Sequence, residues 1–427
     1  MSGISSASVA ADAGPGGSTG PNAINPLAAA IDSVIAAGAA AVAASAPGAA
    51  YVWVPGSAFP TVPAGQYGSV QITGSVSGTA SLPVPYNIAT DDATGAVTII
   101  ANGTTPQVAS VTGTDQTYLA SAAAGYFVSG NFSAQGTAST GTGAGRASGN
   151  LWLTGAAGSV PSYLASDGRT DSIVATQGTN WIATGNNSAV QIWIDAGTAI
   201  IASRGSDTIA IGAADATVVG SGSALVYGGS GALNFSAIAG TDTMIGGTAA
   251  VTAGASGSAS LLAYGGSAGN NAMVGDGAGA TLFGGGSGDQ LAGLAGANML
   301  LAGGGSETLF GGSAAPNTVF VGGSGTDVMA AQAGGSQFIS GSGTDQVLAA
   351  GDANQFDFTL GRAGGLMVVQ GFNSSDVINL TGYAADAATT AFSTAQVSGG
   401  NTVLTLSDNT RIVLLGFTGL GQTNVVA

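Results

Sequence analysis

From Ile173 onward a large apolar residue returns about every nine positions, with small or polar residues filling the intervals. The series reads Ile173, Ile182, Ile200, Ile209, Val218, Val226, Phe235, Met244, Leu262, Met273, Leu282, Leu291, Leu300, Leu309, Val319, Met329, Phe338, Val347 and Phe356. Nine is neither the helical period nor the alternation of a half-buried strand. It suits a short strand and a tight turn, repeated, with one inward apolar side chain per strand. A single nonapeptide cannot bury its own side chain, so the pattern predicts coils stacked into a ladder stabilised by their neighbours. At two nonapeptides per coil, residues 166–356 make roughly ten coils, or about 50 Å at the usual strand spacing.

The full repeat is clearest in Gly322-Gly323-Ser324-Gly325-Thr326-Asp327-Val328-Met329 and in Ser340-Gly341-Ser342-Gly343-Thr344-Asp345-Gln346-Val347, 18 residues later. Its form is G-G-x-G-x-D-x-U, where U is apolar, and its glycines are expected at corners of positive φ.

The pattern changes on either side. Residues 1–25 are rich in Ser, Ala, Gly and Pro and read as a flexible leader or assembly arm. Residues 26–46 read as a helix: Asn25 can cap it, Pro26 fits its first position, and Leu27, Ile31, Val34, Ile35 and Val42 share a stripe. Asp32 and Ser33 interrupt that stripe and no positive charge flanks it, so no membrane span is expected. Residues 51–155 read as a β-rich N-terminal domain, or as an irregular start to the coils, with strands near residues 51–54, 69–73, 96–100 and 107–111. Residues 133–149 look like a linker. Residues 357–427 break into longer strands, near 365–372, 376–380, 401–406 and 411–417, placed to cover the open edge of the stack. The fold class is thus all-β: a parallel β-solenoid with an N-terminal helix, a β-rich N-terminal region and a C-terminal β cap.

Composition adds function. Only 6% of the 427 residues are charged, with five arginines, no lysine and one glutamate, Glu307, against roughly a quarter in ordinary domains. A surface of Ala, Ser, Thr, Gly and Asn is weakly hydrated and prone to pack against something. The net charge of −16 argues against nucleic-acid partners and suits divalent cations. No histidine, lysine or cysteine is present, which removes zinc-protease motifs, Ser-His-Asp triads and two classes of nucleophile. A non-enzyme is expected.

The nonapeptide and the closing phrases Gly371-Phe372-Asn373-Ser374-Ser375-Asp376-Val377-Ile378-Asn379-Leu380 and Leu406-Ser407-Asp408-Asn409-Thr410-Arg411-Ile412-Val413-Leu414 resemble the repeat-in-toxin (RTX) family. The resemblance covers roughly residues 166–427. It implies a β-roll and export by type I secretion machinery through an uncleaved signal in 357–427. No Lys or Arg precedes Arg146, so the charged start of a secretory signal is missing, which fits that route. It also implies Ca²⁺ in the turns, held by backbone carbonyls and the repeat's aspartate. By position these residues are Gly322, Gly323, Gly325 and Asp327, then Gly341, Gly343 and Asp345. Asp289 and Glu307 form a second pair at the same spacing. The aspartate slot becomes Asn271, Asn298, Asn317, Asn354, Ser336, Ala224, Ala280 or Leu233 elsewhere, so calcium is expected only towards the C-terminal end. The function expected is a secreted structural protein of a Gram-negative bacterium, forming a homo-oligomer or polymer as surface layer, fibre or biofilm matrix. The alternative is an adhesin that binds a cell-surface glycan or ice.

Overall fold

The computed structural model describes residues 171–427 apart from 187 and, before them, ten strands from Ala49–Trp53 to Ser162–Ser166 with the turn at 54–58 and position 75. The expected leader, the helix at 26–46 and the linker at 133–149 lie outside the described residues. The chain divides into two compact units at Thr243/Met244.

Both units are parallel β-solenoids. With two strands per coil, most strands stack on the strand next but one, which carries the same part of the repeat one coil later; Ala272–Phe283 and Gln290–Leu301 each run through both halves of a coil and stack directly on each other. From Gly68–Ile72 onward the N-terminal strands obey this rule too: Gly68–Ile72 pairs with Tyr86–Asp91, and Gly78–Leu82 with Val97–Ala101, all parallel.

In the first unit two apolar rows fill the interior: Ile173, Ile192, Ile209 and Val226 in register, and Ile182, Ile201, Val218 and Phe235. In the second unit the rows are longer. One runs Ala253, Met273, Leu291, Leu309, Met329, Val347, Val369 and Leu414. The other runs Ala263, Leu282, Leu300, Phe320, Phe338, Phe356 and Ile378. Every member of these rows is buried.

Three positions of the nine-residue series face elsewhere. Ile201, Leu261 and Phe320 point inward, while Ile200, Leu262 and Val319 lie on the opposite, half-exposed face. Each error falls on two adjacent apolar residues, where the side that faces in depends on a turn one residue longer or shorter. Ile192 and Ala253 also belong to the interior rows.

The parallel pairing runs past Phe356 through Leu366–Gln370 and Val377–Thr381. Antiparallel pairing then joins it. Arg411–Leu415 stacks parallel on Leu366–Gln370 but antiparallel on Asn401–Thr405, which pairs antiparallel with Gln396–Ser398. One α-helix occurs among the described residues, Ala387–Thr394. An aromatic stack ties this end to the coils: Phe320, Phe338 and Phe356 lie face to face at 4.9 and 5.1 Å, continued by Phe372 at 5.5 Å and Phe417 at 5.1 Å. No helix among the described residues is long and apolar enough to cross a membrane.

Candidate functional site

The residue two places before each inward apolar position is polar in most coils, and the alternation of the strand turns it inward as well. Asp207, Asp242, Asn271, Asp289, Asn298, Glu307, Thr318, Asp327, Ser336, Asp345, Asn354 and Asp376 are all buried. A buried polar group is costly unless it is hydrogen-bonded, and here backbone N–H groups supply the bonds. One oxygen accepts from the matching slot of the preceding coil. The Ala224 N–H donates to Asp242 at 2.7 Å, Asn271 to Asp289 at 2.8 Å, Glu307 to Asp327 at 3.1 Å, Ser336 to Asn354 at 3.1 Å and Asn354 to Asp376 at 2.8 Å. The other oxygen accepts from its own turn: Gly285 donates to Asp289 and Gly323 to Asp327, both at 2.7 Å. The slot therefore staples each turn to the turn beneath it. Asn links the same turns in another way: its one oxygen accepts from the preceding coil, as from the Ala280 and Ser336 N–H groups, and its amide donates to carbonyls of its own turn, as Asn298 does to Ala295 and Asn354 to Gly351. The repeat frame puts Asn317 in the slot, but Thr318 occupies it, and Asn317 takes a positive φ of 62° in the turn.

Asp289, Glu307, Asp327 and Asp345 fall in successive coils of one edge, and their oxygens are used differently. Both oxygens of Asp289 and of Asp327 are taken by N–H donors. Asp345 accepts from the Gly341 N–H at 3.2 Å and the Ser340 hydroxyl at 3.3 Å through Oδ2, while its Oδ1 meets no partner. Glu307 accepts from Gly305 at 3.0 Å through Oε1, and its Oε2 meets none. In the first unit, Oδ2 of Asp242 is likewise without a donor. The electrostatics follow. Burial, reinforced by the neighbouring Asp327 carboxylate, pushes Glu307 up to about 8. Burial first, with the Asp327 charge adding, raises Asp345 to about 7, and burial raises Asp242 to about 6.

The glycines of the repeat have a different role from the one expected. Gly322, Gly323, Gly325, Gly341 and Gly343 have no positive φ. They are glycine because the turns stack too closely for a side chain. A Cβ on Gly325 would stand 1.4 Å from the Gly305 carbonyl oxygen, and one on Gly322 would stand 2.4 Å from Asp345 Oδ1. The second contact shows that the orphaned oxygen of Asp345 looks onto bare backbone.

These observations test the fit to calcium. A hard cation takes six to eight oxygens, and no three His, Cys, Asp or Glu side chains converge among the described residues. Any ion would have to draw mostly on carbonyls. Asp345, Glu307 and Asp242 fit through one spare buried oxygen each. Asp327 and Asp289, engaged by N–H donors on both oxygens, do not fit in this arrangement. Asp242 and Asp376 are not among the residues that the repeat singles out, although each stands two places before an inward residue, Met244 and Ile378. Asp207 is a fully occupied hub, accepting from Ser188 and Ser203 hydroxyls and the Val190 N–H at 2.8, 2.7 and 2.9 Å.

No protein-family model and no curated protein matches this chain. Among solved structures, the crystal structure of an extracellular lipase from Serratia marcescens is similar, at 18% identity, covering 56% of this chain and 45% of that one, with a TM-score of 0.23. The chain thus spans less than half of that lipase's length. At that score the likeness assigns no activity here, and the fold rests on the strand pairing described above.

Proposed function

We propose that this protein is a secreted, calcium-binding structural protein that assembles with copies of itself on or outside a Gram-negative bacterial cell, as surface layer, fibre or biofilm matrix. One observation carries the reading. Nine of the fifteen acidic residues from 171 to 427 are buried: Asp171, Asp207, Asp242, Asp289, Glu307, Asp327, Asp345, Asp357 and Asp376. Over these residues most of the acidic side chains thus turn inward, which leaves the outer faces sparsely charged. Such faces lack the repulsion that keeps soluble proteins apart. Exposed apolar residues on the outward side of the strands, including Tyr264, Met299 and Leu348, add to the tendency to associate.

Asp345 and Glu307 are the residues that would hold calcium in the second unit, and Asp242 in the first. The positive charge of a bound ion would let these buried carboxylates stay ionised at neutral pH. A second reading, an adhesin that binds a glycan on a side face, is favoured by the outward pair Trp193 and Tyr227.

Sedimentation and electron microscopy of the purified chain, in chelator and in millimolar calcium, test the proposal. Ordered sheets or filaments on adding calcium are expected. A chain that stays monomeric in both conditions would overturn it.

A further inference from the structure

We infer that the outward face of the first unit carries a slot for one uncharged sugar ring, between Trp193 and Tyr227. The strands Gln191–Ile194, Thr208–Ile211 and Leu225–Tyr227 stack in parallel register, which places Trp193, Ala210 and Tyr227 in one outward row. Trp193 is 56% exposed and Tyr227 40% exposed, values unusual for large aromatic residues in a packed fold.

The spacing of that row is set by the stack itself. Inside the second unit, rings on adjacent coils lie face to face at 4.9 and 5.1 Å. Residues two coils apart are separated by about 9.6 Å, the room for one further ring between them. Ala210 stands at that middle place with only a methyl group, so the row is two aromatic residues with the middle ring left out.

The flanks of the slot are polar. On one side Gln191 and Thr208 are exposed and in register with each other. On the other is Asp195, exposed, with Oδ1 3.2 Å from where a Cβ on Gly212 would stand. A pyranose ring matches this set. Its C–H faces pack on aromatic residues, and its hydroxyls donate to Asp195 and exchange hydrogen bonds with Gln191 and Thr208. An aromatic side chain from a second copy would fill the gap but leave those flanking groups without partners. The exposed Asp195 carboxylate beside the slot repels acidic sugars, which leaves neutral ones.

The inference does not depend on self-assembly, so the test is run on the full chain under conditions where sedimentation shows monomers. Cellohexaose and maltohexaose serve as neutral probes and a galacturonate hexamer as the acidic one, read by saturation-transfer NMR and tryptophan fluorescence. Saturable binding of at least one neutral probe and none of the acidic probe is expected. Trp193→Ala and Ala210→Phe, the second filling the slot from an outward position, should each weaken binding about tenfold or more with an unchanged circular dichroism spectrum. Asp195→Asn should improve binding of the acidic probe. The inference is overturned if neither neutral probe binds, or if Ala210→Phe or Trp193→Ala binds as well as the parent.

Discussion

Asp327 and Asp345 occupy the same place in consecutive coils, paired in register, yet they answer to different forces. Asp327 is held by two N–H donors. Asp327→Ala would orphan the Glu307 and Gly323 amides and should cost about 1–3 kcal/mol, read from urea midpoints, whereas Asp327→Asn should cost less because the amide oxygen still accepts one bond. Asp345 is instead a buried charge with a spare oxygen. In chelator at pH 8, Asp345→Asn should leave stability unchanged or raise it, while reducing the stabilisation that calcium gives.

The raised carboxyls also fix the direction of the pH response. Asp242, Asp345 and Glu307 keep protons in the folded chain at pH values where the unfolded chain has lost them, with values of about 6, 7 and 8 against 3.8, 3.8 and 4.5. The folded state then binds more protons, so their contribution is complete below about pH 4 and is lost as pH rises towards 8. Each pH unit across which one such group is protonated only when folded corresponds to about 1.4 kcal/mol. Metal-free protein should therefore have a lower thermal midpoint at pH 8 than at pH 5, and calcium should narrow the gap. A midpoint that rises with pH in chelator would contradict this picture of the three carboxyls.

At the scale of strands and turns, stability comes from rows that only exist when coils stack. Phe338 sits between two stacked rings, so Phe338→Ala should cost about 3–5 kcal/mol. Gly325→Ala should be at least as damaging as an ordinary overpacking change, about 1–3 kcal/mol, because backbone rather than a movable side chain blocks the new methyl group. Thermal denaturation of the two variants checks both values. The same rows show what the sequence could tell. From Ile209 to Phe356 a coil is mostly 17 to 20 residues, and the period of nine was visible. Where two apolar residues adjoin, as in Val319-Phe320, the period could not choose between them. Among the earlier strands, partners are 34 residues apart between Thr117–Ala120 and Leu151–Thr154, and 37 between Tyr126–Ser129 and Ser162–Ser166. The extra residues, about one coil's length, hide a repeat whose pairing rule is nonetheless the same. The slot aspartates were legible as a pattern but not as donors' partners, since the N–H groups they meet lie a full coil away. The glycines were legible as necessary, but the crowding that requires them depends on the neighbouring turn.

For the whole molecule, what matters is which chemistry faces in and which faces out. A two-residue alternation sends apolar and acidic groups to the interior together, and the assembly proposal depends on the sparsely charged exterior that results. The chain has no cysteine, so thiols can be introduced singly without background. Substituting cysteine at Ile209, Leu300 and Val347, and at their neighbours Thr208, Met299 and Gln346, allows reaction rates with a small soluble maleimide to be compared on the folded monomer. Thiols at 208, 299 and 346 should react rapidly and those at 209, 300 and 347 only on unfolding; equal rates within each pair would contradict the inward rows, and with them the account of the buried acids and the sparsely charged surface.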